Sequence, residues 1–366
     1  MDCKDTITHS LKKSWNVVGI MSGTSLDGLD VGLANFSRDK NGFWSGELEV
    51  IKCFDFPDTL VARLHKSMQM TALELCELDR DWALFAAECV NDMMSNCVCK
   101  PELISSHGHT VFHKPDEGFT TQIGSGAILA AKTGLPVVCD LRSLDVAYGG
   151  TGAPLIPLVD KLLFSEFEGC LNLGGFSNIS HLNASGGVLA WDIGPCNNLL
   201  NQLSRVVGFQ YDKDGLLASK GELHSDLFRD LCDLKYHRLL TPKCLGMEWV
   251  DSELAAVLKK YNDISIGDKL RTSVEYIAHI IVNDSPKGRV LVTGGGVWNT
   301  FLMDRIRNIA TEQSSEFIIT EPDMVNGKEA YGFAFLGLLR WLGESNVFQE
   351  VTGSKKPSSG GAVWLP

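Results

Sequence analysis

The chain has 366 residues, with 45 Asp and Glu against 33 Lys and Arg, a formal net charge of −12 and a pI near 5.2. That balance argues against nucleic acid or an anionic membrane as a partner, because both attract the opposite sign. With 44% hydrophobic and 21% charged residues and a mean hydropathy of +0.02, the composition is that of a globular protein long enough for two domains.

No apolar run is long enough to span a bilayer. Residues 1–16 carry Asp2, Lys4, Asp5, Lys12 and Lys13 without an apolar core, unlike a secretory signal. The 11 cysteines are odd in number and scattered, and Cys139 and Cys170 sit in apolar runs as small buried hydrophobes would. Cys97 and Cys99 are too close together for a zinc site. The expectation is a reduced, cytoplasmic protein.

Strands are expected at 15–20, 30–36 and 45–54. The first two flank Ser22-Gly23-Thr24-Ser25-Leu26-Asp27-Gly28, a strand–turn–strand unit of phosphate size. Glycines let a backbone approach an anion, and successive N–H groups form a nest for it. Ser22, Thr24 and Ser25 add hydroxyls, whereas Asp27 and Asp30 repel phosphate and make sense around a Mg2+ or a substrate hydroxyl. An ordinary hairpin is the alternative. Helices follow at 57–70 and 72–96, the second with Leu73, Leu75, Leu78, Trp82, Leu84, Phe85 and Cys89 on its apolar side. A short strand at 103–106 ends in a His-Gly turn, a helix covers 128–132, and 136–139 is another strand. This alternation favours an α/β fold.

The theme then repeats. A strand at 170–173 enters Gly174-Gly175-Phe176-Ser177-Asn178 and leaves as 179–182. A strand at 187–191 ends at Asp192-Ile193-Gly194-Pro195, and a helix runs from about 196 to 207. A third glycine turn, Gly294-Gly295-Gly296, joins a strand at 290–293 to a helix that starts at Asn299. The closing helix, 328–342, carries Ala330, Gly332, Ala334 and Gly337, which permit close packing although each Gly costs about 1 kcal/mol of helix stability. One phosphate turn per domain, facing across a cleft, would hold the two ends of a triphosphate. No GxxxxGK[ST] loop, protein-kinase signature or dinucleotide fingerprint is present.

Several residues have two open readings. Asp192, at a strand end before a Gly-Pro turn, is a general-base candidate or a turn aspartate. His107 and His109 would face one side of a strand, yet Gly108 suggests a turn and no further ligand completes a zinc site. Arg142 could hold a carboxylate or pair with Asp145. Glu329 is either a site residue or a carboxylate favoured by a helix N-terminus. Gly294–Gly296 with Asn299 could seat adenosine or serve tight strand–helix packing.

The run from Gly19 to Asp30 closely resembles the opening motif of the anhydro-N-acetylmuramic acid kinases, bacterial sugar kinases of the actin/Hsp70/hexokinase superfamily. Asp192-Ile193-Gly194-Pro195-Cys196-Asn197 looks like that family's Asp-Thr-Gly-Pro-Gly-Asn, with Ile for Thr and Cys for the second Gly. His107-Gly108-His109-Thr110-Val111-Phe112-His113 is similar to its His-Gly-Gln-Thr-Val-x-His, with His109 for Gln. Gln122-Ile123-Gly124-Ser125 and Asp140-Leu141-Arg142-Ser143-Leu144-Asp145 also match, as does Gly149-Gly150-Thr151-Gly152-Ala153-Pro154-Leu155 with Thr for Gln. The resemblance covers nearly the whole chain.

It implies a two-domain actin/Hsp70/hexokinase-like ATPase fold with nucleotide in the interdomain cleft. The first domain would take residues 1–135 with a return over about 345–366, and the second 136–344. Asp192 would be the catalytic base. ATP would be held by Gly23, Thr24, Ser25, Asp27, Gly28, Asp30, Gly174, Gly175, Asn178, Gly294, Gly295, Gly296 and Asn299, with Asp27 also toward Mg2+. The sugar would meet His107, His109, Gln122, Arg142, Asn197 and Glu329. The implied reaction opens the 1,6-anhydro ring and phosphorylates O6. A kinase for another anhydrosugar, such as levoglucosan, and a nucleotide-gated binding protein are the alternatives. A homodimer is expected.

Overall fold

The computed structural model describes residues 13–23, 26, 28–95, 97–182, 187–241, 243–311 and 313–366. The chain divides into two units, residues 1–163 with 327–366 and residues 164–326.

The first unit is built on a sheet of seven strands among the described residues. They are β1 (Ser14–Ser22), β2 (Leu29–Arg38), β3 (Trp44–Phe54), β4 (Leu103–Lys114), β5 (Phe119–Ile123), β6 (Val137–Cys139) and the chain's last strand, Ala362–Trp364. β1, β2 and β3 form an antiparallel meander; β4 runs parallel to β1, β6 runs parallel to β4, and the last strand closes on β6. The helix Ala72–Ser95 covers one face, burying Leu78, Trp82, Ala86, Val90 and Met93 at helical spacing against Val18, Ile20, Leu29 and Val31. Burying each of the larger of these side chains contributes about 1.5–3 kcal/mol. Its start is a capping box: Glu74 accepts from the Thr71 amide at 2.8 Å, and Thr71 Oγ1 accepts from the Glu74 amide at 3.3 Å.

The helix Pro322–Trp341 covers the other face. A Cβ on Gly19 would run into the Ala330 carbonyl, and one on Gly337 into Ser105. The small residues therefore let helix and sheet approach closely, as the sequence predicts, and Ser105 Oγ donates to the Phe333 carbonyl at 2.6 Å. Trp15, Phe36, Trp44, Tyr331 and Phe335 fill the space around them. These contacts move the domain boundaries. β6 belongs to the first sheet and the last long helix lies on it, so the divisions fall at 163/164 and 326/327, not at 135/136 and 344/345.

The second unit repeats the plan. β7 (Gly169–Leu173), β8 (Phe176–Leu182) and β9 (Val188–Pro195) form a meander, β10 (Gly288–Thr293) runs parallel to β7, and β11 (Ser315–Ile319) runs parallel to β10. The order β11-β10-β7-β8-β9 mirrors β6-β4-β1-β2-β3. The helix Ile266–Asp284 forms the centre of its core through Leu270, Val274, Ile277 and Ile281. One topology used twice is the α/β, two-domain plan of the actin/Hsp70/hexokinase superfamily. No helix among the described residues is long and apolar enough to cross a membrane.

Candidate active site

The second unit carries Asp192. β9 runs through it to Pro195, so Asp192 sits within an edge strand and not at its end. Its Cα partner on β8 is Asn178. The side chain is half-buried, and Oδ2 accepts from the Leu245 amide at 2.9 Å. Burial pushes the carboxyl above the usual aspartate value, and the Leu245 N–H opposes that. The Asp192 amide donates to the Lys243 carbonyl at 3.0 Å, and the Tyr236 hydroxyl donates to the Asp192 carbonyl at 2.6 Å.

Gly174 and Gly175 form the tight turn between β7 and β8. A Cβ on Gly175 would lie 2.7 Å from Asn198 Oδ1, so part of that glycine's role is packing. Asn197 stands beside this turn: its amide donates to the Gly174 carbonyl at 3.1 Å and Nδ2 to the Leu173 carbonyl at 3.2 Å. It also starts the helix Asn197–Val206.

The three late glycines are not equivalent. Gly294 has φ +87°, and a Cβ there would lie 2.9 Å from the backbone N and C of Leu173. A Cβ on Gly296 would lie 2.7 Å from Leu173 Cβ. Only Gly295 of the three faces open space, with nothing within 4 Å. Tight packing thus accounts for two of them, and the third leaves a bare backbone that a flat group could approach. Asn299 Oδ1 accepts from the Leu302 amide at 3.0 Å and caps the helix Thr300–Ala310, which puts that side chain to structural use.

In the first unit, Thr24, Ser25 and Asp27 of the expected phosphate turn lie outside the described residues. Gly23 follows β1, and its carbonyl accepts from the Leu26 amide at 3.4 Å. A Cβ on Gly28 would lie 2.5 Å from Cys53 Sγ, so this glycine serves the packing of the turn against β3. Asp30 is half-buried on β2, opposite Met21.

The histidine segment departs from the expected short strand and turn. β4 continues to Lys114, and Gly108, at φ +75°, absorbs a bulge against β1. Without the bulge His107 and His109 would share a face. With it, His107 turns to Phe333, ring centroids 4.5 Å apart, and His109 Nδ1 meets Ser22 Oγ at 2.9 Å. Arg142 Nε donates to His107 Nε2 at 2.9 Å, so the His107 proton sits on Nδ1, directed at the Gly108 carbonyl 3.0 Å away. Burial, and then the Arg142 charge, hold His107 well below the usual histidine value; burial alone takes His109 down to about 4. Both rings are neutral, and each has a partner. No group of three or more His, Cys, Asp or Glu placed to hold a metal occurs among the described residues.

Arg142 does not follow the ion-pair alternative. Nη1 donates to the Gly152 carbonyl at 2.7 Å, while the fully buried Asp145 accepts from the Gly152 amide at 2.7 Å and from Thr352 Oγ1 at 2.8 Å. Arg142 and Asp145 grip the two sides of one turn. Gln122 donates to Thr120 Oγ1 at 2.8 Å, and its Oε1 is buried without a hydrogen-bond partner. Glu329 is exposed and lies two turns into a helix that starts at Pro322, so a helix N-terminus does not explain it. Its charge instead acts on Arg142, opposing the burial that lowers the guanidinium to about 10. The neighbouring Lys328 is buried and pairs with Asp160 at 2.8 Å.

His107, Gly108, Gln122, Gly124, Ser125 and Asp140 also line a cavity of about 230 Å³ in this unit. Sequence reasoning missed Tyr236, Lys243 and Leu245. Two of the three bonds they make to Asp192 come from backbone atoms, which leave no residue signature.

A duplicated sheet, with glycine turns after parallel strands and a half-buried carboxylate on an edge strand, defines the class: a two-domain ATPase of the actin/Hsp70/hexokinase type. Within it, the chain belongs to the anhydro-N-acetylmuramic acid kinase family, whose model matches residues 15–366. It is similar to the anhydro-N-acetylmuramic acid kinase of Haemophilus influenzae, 34% identical with 95% of this chain and 97% of that one covered. That of Hydrogenovibrio crunogenus is 34% identical over 95% and 98%, and that of Vibrio cholerae serotype O1 33% identical over 95% and 98%.

Proposed function

We propose that this chain is an ATP-dependent kinase that opens the 1,6-anhydro ring of anhydro-N-acetylmuramic acid and phosphorylates O6. The products are N-acetylmuramic acid 6-phosphate and ADP, and the setting is cytoplasmic cell-wall recycling. The observation that carries the reading is Asp192, a carboxylate made more basic by burial yet held by a backbone N–H. A base whose pKa rises toward the working pH is more effective.

Asp192 would take a proton from the water that attacks the anomeric carbon. As the new C–O bond forms, the bond from that carbon to O6 breaks, and O6 accepts the γ-phosphoryl group while ADP leaves. Gly295 and the two early glycine turns would seat the nucleotide. The Mg2+ would be held chiefly by phosphate oxygens, with Asp27 and Asp30 supplying oxygen ligands. This donor set suits a cation that keeps several waters and uses one or two carboxylates. When bound, the metal neutralises phosphate charge. Arg142, fixed by His107 and Gly152, would offer its remaining N–H groups to the lactyl carboxylate. A homodimer remains the working assembly.

ADP release measured with anhydro-N-acetylmuramic acid, levoglucosan, N-acetylmuramic acid and N-acetylglucosamine tests the proposal. Turnover should be fastest on the first sugar and should form the 6-phosphate. Preference for levoglucosan would overturn the substrate assignment, and turnover of none would overturn the kinase reading.

A further inference from the structure

β9 is an edge strand, and an edge strand leaves backbone groups without a ladder partner. At Asp192 those groups are engaged by chain from outside the sheet. The amide donates to the Lys243 carbonyl at 3.0 Å, the carbonyl accepts from Tyr236 at 2.6 Å, and Oδ2 accepts from the Leu245 amide at 2.9 Å. Three bonds converge on the residue read as the base.

The Lys243 side chain fastens this strap. It is 5% exposed, and its Nζ lies 4.8 Å from the centre of the Tyr236 ring, 3.5 Å from the Tyr236 carbonyl and 3.7 Å from Asp284 Oδ2. The Asp284 carboxylate also accepts from Trp191 Nε1 at 3.1 Å, and Trp191 precedes Asp192 on β9. A buried ammonium is costly unless paired. Here its charge ties the strap to the strand on the residue next to the base.

We infer that Tyr236 and Lys243 are positioning residues that set the orientation of the Asp192 carboxylate. This rests on the assignment of Asp192 as base. Tyr236 removes the freedom of the Asp192 peptide. Lys243 holds the strap so that the Leu245 N–H reaches Oδ2 and leaves the other oxygen to the reaction. The roles are kinetic, so losing either should lower kcat and leave substrate affinity alone.

Two measurements on the whole chain test this. In the first, amide exchange of Leu245 and Asp192 is followed without substrate. Both amides should be protected in the wild type, and Tyr236→Phe or Lys243→Met should speed exchange roughly tenfold or more. An unprotected Leu245 amide in the wild type, or protection unchanged in both variants, overturns the strap. In the second, Tyr236→Phe should lower kcat roughly tenfold to a hundredfold, with KM for sugar and for ATP unchanged. Lys243→Arg should keep more activity than Lys243→Met. In an Asp192→Asn background, Tyr236→Phe should cost nothing further, because no base remains to be oriented. The same fold-loss in both backgrounds would mean that Tyr236 acts on general stability, and would overturn the inference. A wild type that turns over no anhydrosugar would remove the role of Asp192, while the exchange experiment still decides whether the strap holds it.

Discussion

The two sheets share one strand order and diverge at the ends of corresponding strands. β4 and β10 each run parallel to the first strand of their meander, and each meets a glycine with positive φ, Gly108 at +75° and Gly294 at +87°. In the first unit the strand bulges at that glycine and continues to Lys114, with His107 and His109 turned to different partners. In the second the strand stops, and the chain passes through Gly295 into the helix Thr300–Ala310. A positive-φ glycine thus lies beside a cavity in one case and before bare backbone in the other. The third strands differ as well. β3 is largely exposed, whereas β9 carries Asp192 under a strap. The duplicated scaffold does not decide chemistry; the departures from its repeated plan do.

The sharpest way to break this comparison is Asp192→Asn. Loss of a general base should lower kcat by about 10²–10⁴ while calorimetric ATP affinity stays at the wild-type value. The variant should also be no less stable at neutral pH. The folded carboxyl holds its proton above the value of an ordinary aspartate, 3.8, so between that value and the folded pKa the native state binds more protons than the unfolded chain. Stability from this group therefore falls as pH rises through that window, and Asn removes the penalty. An Asn variant with wild-type kcat, or one that melts well below the wild type at pH 7, would show that Asp192 is built into the fold and not into the reaction.

The next largest effects should separate the late glycines from each other. Gly294→Ala adds a Cβ against Leu173 at a left-handed φ, and should destabilise by about 1–3 kcal/mol from overpacking plus about 1–2 kcal/mol from strain. At Gly295 a Cβ meets nothing within 4 Å, so Gly295→Val should melt close to the wild type, yet weaken ATP binding. Unchanged ATP affinity in folded Gly295→Val would leave only the packing reading of this turn.

The alternation of elements is legible along most of the chain because glycine turns punctuate it and because Ala72–Ser95 carries apolar residues at helical spacing. The core helix Ile266–Asp284 is missing from the sequence reading although Leu270, Val274, Ile277 and Ile281 repeat at 3–4 residues, so the signal exists. Starting the last helix at Lys328 is six residues late, because the small residues that mark its packed face begin only at Ala330. The bulge at Gly108 is not legible in the same way. A glycine after a histidine reads as a turn, and only the register against β1 distinguishes a strand that bulges from one that ends. Site chemistry divides along the same line. Asp192, Arg142 and His107 are side chains in motifs, whereas the strap acts on Asp192 largely through backbone atoms.

Arg142 offers the finest test. Nε and Nη1 are committed to His107 and Gly152, so the guanidinium is oriented before any ligand arrives. Its face lies over Phe333, with Cζ 5.6 Å from the ring centre, and Glu329 supports its charge. A cation held this way gains more from a carboxylate than a freely rotating one, because less rotamer entropy is lost on binding. Arg142→Ala should raise KM for anhydro-N-acetylmuramic acid by the equivalent of about 1–3 kcal/mol, with much less effect on ATP affinity. Arg142→Lys should not restore it, because one ammonium on a flexible stem cannot reproduce the planar fork that contacts His107, Gly152 and a ligand together. The effect on levoglucosan, which has no carboxylate, should be small if that sugar is turned over at all. Equal losses on both sugars would assign Arg142 to holding His107 and the Gly152 turn. A selective loss on the sugar acid would make the first unit the place where the acid is recognised, in contrast to the second, which carries Asp192.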